Sequence, residues 1–177
     1  MAHQEIVIAG FGGQGALSAG KLLAYSGMLE NMHVSWLPSY GPEMRGGTAN
    51  CHVIISDEPI GSPILNSATA VIAMNRPSLD KFEGMVVKDG LIVLDSSLID
   101  RSSARTDVEV CAVPASRLAS EMGNIAYANM MLLGKLIART GIVARESIEK
   151  ALGEILPEKY RALIPDELRA LDIGMGY

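Results

Sequence analysis

Apolar and polar positions alternate along this chain so as to divide it into short aliphatic runs separated by polar or glycine-bearing turns. Residues 5–9 read as a buried strand, followed by a glycine turn over 10–15. Residues 16 to about 30 read as a helix, with Leu17, Leu22, Leu23 and Met28 available for a buried face. Residues 33–37 predict a second strand, closed by Pro38. A strand, glycine turn, helix, strand opening implies parallel strands joined by a right-handed crossover. Further strands are expected at 49–56, 70–74, 91–94 and 108–113, with Asp89-Gly90 as a turn before the third of these. A short helix starts at Asn75-Arg76-Pro77, where the proline suits a first helical turn. The last third reads as three helices, over 115–122, 124–140 and 145–156, with Gly141 as a stop signal and Pro157 and Pro165 punctuating the tail. The expected fold is α/β: one open, mostly parallel Rossmann-like sheet with helices on both faces and one or two antiparallel strands. The full span 1–177 is read as a single domain, without repeats or linkers.

Composition sharpens this picture. Hydrophobic residues make up 49% of the chain but aromatics only 5%, so the core must be aliphatic, as in a sheet covered on both faces. Mean hydropathy is +0.24, and the surplus of apolar residues also suits a subunit interface. A net charge of −5 and the lack of a basic tract exclude a nucleic-acid footprint. No apolar run approaches a membrane span, and Met1 to Glu5 lack the basic and apolar blocks of a secretion signal, so a cytoplasmic location is expected. Cys51 and Cys111 are far apart, and two thiols cannot supply the four thiolates of a usual iron–sulfur cluster. His3, His33 and His52 show no metal-ligand spacing, and His52 should point to the face opposite Cys51. No nucleophile and base pair is evident. Asp95, at a strand end beside Ser96 and Ser97, reads as a turn or helix-capping residue.

Two segments carry candidate chemistry. Gly10-Phe11-Gly12-Gly13-Gln14-Gly15 has the G-x-G-x-x-G spacing between a strand and a helix. Glycines there permit positive φ and close backbone approach, and free N–H groups at a helix start attract anions. Three readings remain open: a tight structural turn, an anion or inter-subunit contact, and a dinucleotide site. The third needs an acidic residue at the end of the second strand, where Trp36-Leu37-Pro38-Ser39 has none. The second segment, Ser39 to Asn50, sets Arg45 beside Gly46 and Gly47, followed by Thr48 and Asn50, with Tyr40 and Glu43 nearby. A guanidinium flanked by glycines can present its two-pronged fork to a carboxylate or phosphate. Following the second strand, the loop belongs at the carboxyl edge of the sheet, where open α/β folds bind ligands or partners.

The pair G-G-Q-G at Gly12 to Gly15 and P-S-Y-G-P-E-M-R-G-G-T-A-N-C at Pro38 to Cys51 resembles the gamma subunit of 2-oxoacid:ferredoxin oxidoreductases, the domain III type of pyruvate:ferredoxin oxidoreductase. Ile54 to Pro63 and Ala126-Tyr127-Ala128-Asn129-Met130 extend the resemblance over nearly the whole chain. It implies a subunit that is inactive alone. The complete enzyme converts a 2-oxo acid, coenzyme A and oxidised ferredoxin to acyl-CoA, carbon dioxide and reduced ferredoxin. Thiamine diphosphate, Mg2+ and iron–sulfur clusters sit on alpha-type, beta-type and ferredoxin-like delta-type partners. The form of the second loop resembles 2-oxoglutarate or branched-chain 2-oxo acid enzymes more than pyruvate enzymes. Gly12, Gly13, Gln14, Gly15, Arg45, Gly46, Gly47, Thr48 and Asn50 are then the expected contacts to coenzyme A or to a partner chain. An apolar docking face would also favour homodimers of the isolated chain. The competing readings are a free-standing Rossmann nucleotide-binding oxidoreductase and a subunit of an indolepyruvate oxidoreductase.

Overall fold

A computed structural model describes residues 1–39 and 48–177. Six strands form one sheet: β1 (His3–Phe11), β2 (His33–Ser39), β3 (Thr48–Ser56), β4 (Ala68–Ala73), β5 (Val86–Asp95) and β6 (Glu109–Val113), in the order β2-β3-β1-β4-β5-β6. The β1–β4, β4–β5 and β5–β6 pairs are parallel, whereas β3 is antiparallel to both β1 and β2. Thus β1 and β2 run the same way, as expected, but are not neighbours, because β3 is hydrogen-bonded between them.

Helices α1 (Ala16–Leu29), α3 (Ala115–Glu121), α4 (Ala128–Thr140), α5 (Arg145–Ile155) and α6 (Ile164–Gly176) belong to the larger core, over the sheet face that carries Ile6, Ile8, Cys51, Val53 and Ile72. The opposite face, with Val7, Ala9, Ile54, Val71 and Ile92, is covered by the short α2 (Arg76–Phe82) through Leu79 and Phe82, and by Leu65 and Ile99. Both faces carry helix, but unequally. Pro77 lies in the first turn of α2, and the Asn75 side chain caps that helix by accepting the Ser78 N–H at 2.9 Å.

Four local expectations need correction. Asp89-Gly90 is not a turn between elements but a bulge within β5: Asp89 adopts φ 63°, and pairing with β4 jumps from Ala68–Val86 to Ala70–Leu91. Pro38 does not end β2; it pairs opposite Cys51, and an edge strand tolerates the missing donor. Met28 is 47% exposed rather than buried. The buried side of α1 uses small residues instead: a Cβ on Gly20 would stand 2.3 Å from the Cys51 sulfur, and one on Gly27 3.0 Å from Val34. Finally, α6 lies where only a proline-marked tail was foreseen. Pro165 falls in its first turn, where an N–H has no intrahelical partner anyway. Leu168, Ala170 and Leu171 bury against α4, whose backbone comes close at Gly134 and Gly174.

Candidate functional site

The parallel strands β1, β4, β5 and β6 all end at one rim, which is also where β2 ends and β3 begins. Helix α1 follows β1 on one face and α2 follows β4 on the other, so the crevice between the ends of β1 and β4 is a topological switch point.

The glycine turn fills one side of this crevice. Gly13 has φ 91° and Gly15 φ 82°, conformations that disfavour a side chain, and Gly15 caps α1 without any side-chain contribution. Gln14 folds back across the turn. Its Oε1 accepts the Phe11 N–H at 2.6 Å and the Asn75 amide at 3.0 Å, and its Nε2 reaches toward the Met74 carbonyl at 3.4 Å. One side chain therefore ties the end of β1 to the end of β4. A Cβ at Gly10 would lie 2.8 Å from this oxygen, which is why the strand carries glycine beneath it.

Asp95 closes the far side. It is 1% exposed, and its carboxylate accepts the Ser116 N–H at 3.2 Å, the Ser116 hydroxyl at 2.5 Å and the Ser97 N–H at 3.0 Å. The capping role read for Asp95 holds, since the Ser116 N–H belongs to the first turn of α3. Between turn and carboxylate lies a cavity of about 160 Å³, lined by Gly13, Gln14, Asp95, Ser116, Asn129 and Leu132, among others. Its mouth carries Leu98 and Ile125, 45% and 59% exposed. Asn129, at the start of α4, donates to the Gly15 carbonyl at 3.3 Å.

Gly12, Gly13, Gln14 and Gly15 thus stand together at the rim, with Gly13 and Gln14 in the cavity wall. Thr48 is also at the rim, opposite Phe11. Asn50 pairs with Ala9, whose side chain faces the smaller core, so Asn50 lies on the other side of the sheet from the cavity. Arg45, Gly46 and Gly47 fall outside the described residues. Sequence reasoning did not single out Ser116, Leu98 or Ile125, and it treated Asn129 only as part of a motif. The available signal was the polar residue at the start of a long helix beside a strand-end aspartate.

Among the described residues no three His, Cys, Asp or Glu side chains are placed to hold a metal ion. Cys51 is buried and its thiol is pushed up to about 12, chiefly by burial, while Cys111 is half-buried on β6. No helix is long and apolar enough to cross a membrane among the described residues. The rim therefore offers backbone donors and a small, mainly apolar cavity into which the polar side chains of Gln14, Asp95, Ser116 and Asn129 are set, an arrangement suited to binding.

The model of the family described as pyruvate ferredoxin/flavodoxin oxidoreductase matches residues 5–177. The chain belongs to that family. Ketoisovalerate oxidoreductase subunit VorA of Methanothermobacter marburgensis is 44% identical over 175 residues, which is 98% of this chain but 36% of that relative. The chain thus spans about a third of the length of VorA. The 2-oxoglutarate synthase subunit KorC of Methanocaldococcus jannaschii is 35% identical over 178 residues, 99% of this chain and 92% of its own length. Among solved structures, the gamma subunit of a keto/oxoacid ferredoxin oxidoreductase from Geobacter sulfurreducens superposes with a TM-score of 0.83 at 29% identity, covering 97% of this chain and 96% of that one. The matched stretch thus makes up nearly the whole of that KorC and about a third of that VorA.

Proposed function

We propose that this chain is the gamma-type subunit of a thiamine-dependent 2-oxoacid:ferredoxin oxidoreductase, acting on 2-oxoglutarate or a branched-chain 2-oxo acid, and that it has no turnover alone. The observation that carries the reading is the convergence, at one rim, of the glycine turn, the apolar-lipped cavity and the attachment points of the Arg45 loop. Support comes from the family match over residues 5–177 and from the 35% identity to a KorC of nearly the same length.

In this reading residues 1–177 act as one gamma-type domain in the cytoplasm. The rim faces the alpha-type chain and helps coenzyme A reach the thiamine intermediate. Backbone N–H groups of the turn and the Arg45 guanidinium would bind its anionic groups; the cavity with its lip would take an apolar part. Thiamine diphosphate, Mg2+ and iron–sulfur clusters would belong to the alpha-, beta- and delta-type partners. The nucleotide-enzyme alternative is weaker, because β2 ends at Ser39 without the acidic residue that would hold a ribose.

The test is to purify the complex from its host through a tag on this chain and assay ferredoxin reduction with 2-oxoglutarate, 2-oxoisovalerate and pyruvate. Co-purifying thiamine-binding and ferredoxin-like chains, with preference for either of the first two acids, support the reading. A clear preference for pyruvate refutes the substrate assignment. Failure to recover any such chains refutes the subunit assignment.

A further inference from the structure

We infer that Asn129 and Glu167 form a proton-linked brace that positions the glycine turn. Asn129 is the residue of α4 that touches the turn: its Nδ2 donates to the Gly15 carbonyl, and a Cβ added to Gly15 would stand 2.5 Å from that nitrogen. The other end of the same amide is incomplete. The Asn129 Oδ1 is buried and has no hydrogen-bond partner among the described residues. A buried acceptor left unmade is costly, so a donor is expected beside it.

Asn129 also lines a second cavity, of about 90 Å³, enclosed by α1, α4, α5 and α6. Most of its wall is aliphatic, including Leu22, Leu152 and Ile155, and its ionisable group is Glu167 of α6. Burial, and then the neighbouring Asp166 carboxylate, push the Glu167 carboxyl up to about 7. A neutral carboxylic acid carries one O–H donor, which is what Oδ1 lacks. The cavity has room for water, so the bond forms directly or through one bridging molecule.

Ionisation removes that donor. A carboxylate only accepts. The Asn129 amide then gains by turning Nδ2 toward Glu167, and doing so takes away one of the two donors on the Gly15 carbonyl, which keeps only the Ala19 N–H at 3.0 Å. The brace has two discrete states: neutral Glu167 with Asn129 holding the turn, and ionised Glu167 with Asn129 drawn away from it.

The groups around Glu167 leave this choice to its own proton. On α6, Asp166 disfavours a second negative charge. Burial, and then the Asp166 and Glu167 carboxylates, raise the Tyr127 hydroxyl, just before α4, above its ordinary range. Ser18 of α1 and the apolar side chains of α5 complete the wall. Tyr25 of α1 is engaged with Glu154 of α5 at 2.7 Å. No cation is among the groups that shift Glu167.

Any consequence for catalysis rests on the proposed role of the glycine turn in docking, whereas the linkage itself does not, so it is tested on the chain alone. In isotope-labelled protein the Glu167 carboxyl carbon, the Asn129 side-chain amide and the Gly15 carbonyl carbon are followed by NMR from about pH 5.5 to 8.5. The expected result is one shared midpoint near 7. In Glu167→Gln, whose amide mimics the neutral acid, the Gly15 and Asn129 signals should stay at their low-pH positions. In Asn129→Ala, Glu167 should still titrate while Gly15 ceases to respond. Gly15 signals that ignore pH in the wild type overturn the proposal, as do signals that titrate unchanged in Glu167→Gln. The wild-type measurement alone suffices should a variant fail to fold. Whether the chain assembles with partners has no bearing on these outcomes, so this inference and the functional reading fail separately.

Discussion

The crossing of α4 and α6 allows a sharp prediction. A Cβ on Gly174 would lie 1.8 Å from the Met131 carbonyl oxygen and 2.7 Å from the Met131 Cα, both backbone atoms. An ordinary carbon–oxygen contact needs about 3.3 Å, so Gly174→Ala must move α6 away from α4 by about 1.5 Å. Nothing flexible can give way. Leu168 and Leu171 of α6 and Met131 and Leu133 of α4 are buried around this crossing. A radial gap of 0.5–1 Å already forfeits about a quarter to a half of the dispersion energy of each contact. With the strain of overpacking, the cost should be about 2–4 kcal/mol. Gly134→Ala meets the Leu171 carbonyl at 2.2 Å and should cost nearly as much. Gly153→Ala is the control: it sits in α5 with nothing within 4 Å of the added methyl and should stabilise by about 0.5–1 kcal/mol. Urea unfolding of the three variants, with m-values compared, measures this. Gly174→Ala within about 0.5 kcal/mol of wild type would refute the close backbone packing on which the placement of α6, and hence of Glu167, depends.

Gln14→Ala removes the acceptor of the Phe11 N–H and the Asn75 amide; it should lower stability by about 1–2 kcal/mol and speed hydrogen exchange at Phe11. Cys111 should react with iodoacetamide at pH 8 while Cys51, buried with its thiol pushed up to about 12, stays unmodified until the chain unfolds; mass spectrometry of the alkylated peptides decides this. Glu167 has a folded pKa near 7, above its ordinary value, so the folded state binds the extra proton between about pH 4.5 and 7. Its contribution is complete below that window and is lost as pH rises through 7. Because Glu167 is only partly buried, the loss should be about 1–2 kcal/mol, read as growing stability of Glu167→Gln relative to wild type between pH 5 and 8.

The cores of all six strands and of most helices were legible in the sequence, the parallel strands most plainly because burial on both faces leaves continuous apolar stretches. The insertion of β3 between β1 and β2 was not legible: local pattern marks a strand but not its neighbours. Asp89-Gly90 carried an authentic turn signal, yet the same positive φ serves a bulge. Helix α6 was hidden by Pro165 and by glycines that look like breakers, although Gly174 is there because a backbone passes against it. At the site, the glycine turn was visible from its spacing. The cavity was not, since it arises only when the ends of β1 and β5 meet the start of α4. Gln14 read as part of a motif; its bonds to Phe11 and Asn75 supply a structural reason for a glutamine there.

The most direct measurement is reconstitution. Thiamine-binding and ferredoxin-like partner chains, purified without this chain, are assayed for coenzyme A-dependent reduction of ferredoxin by a 2-oxo acid, then again after this chain is added. The account predicts little acyl-CoA without it, recovery at one equivalent, and no turnover by this chain alone. Full activity of the partners without it, or 2-oxo acid oxidation by the solitary chain, would contradict the account.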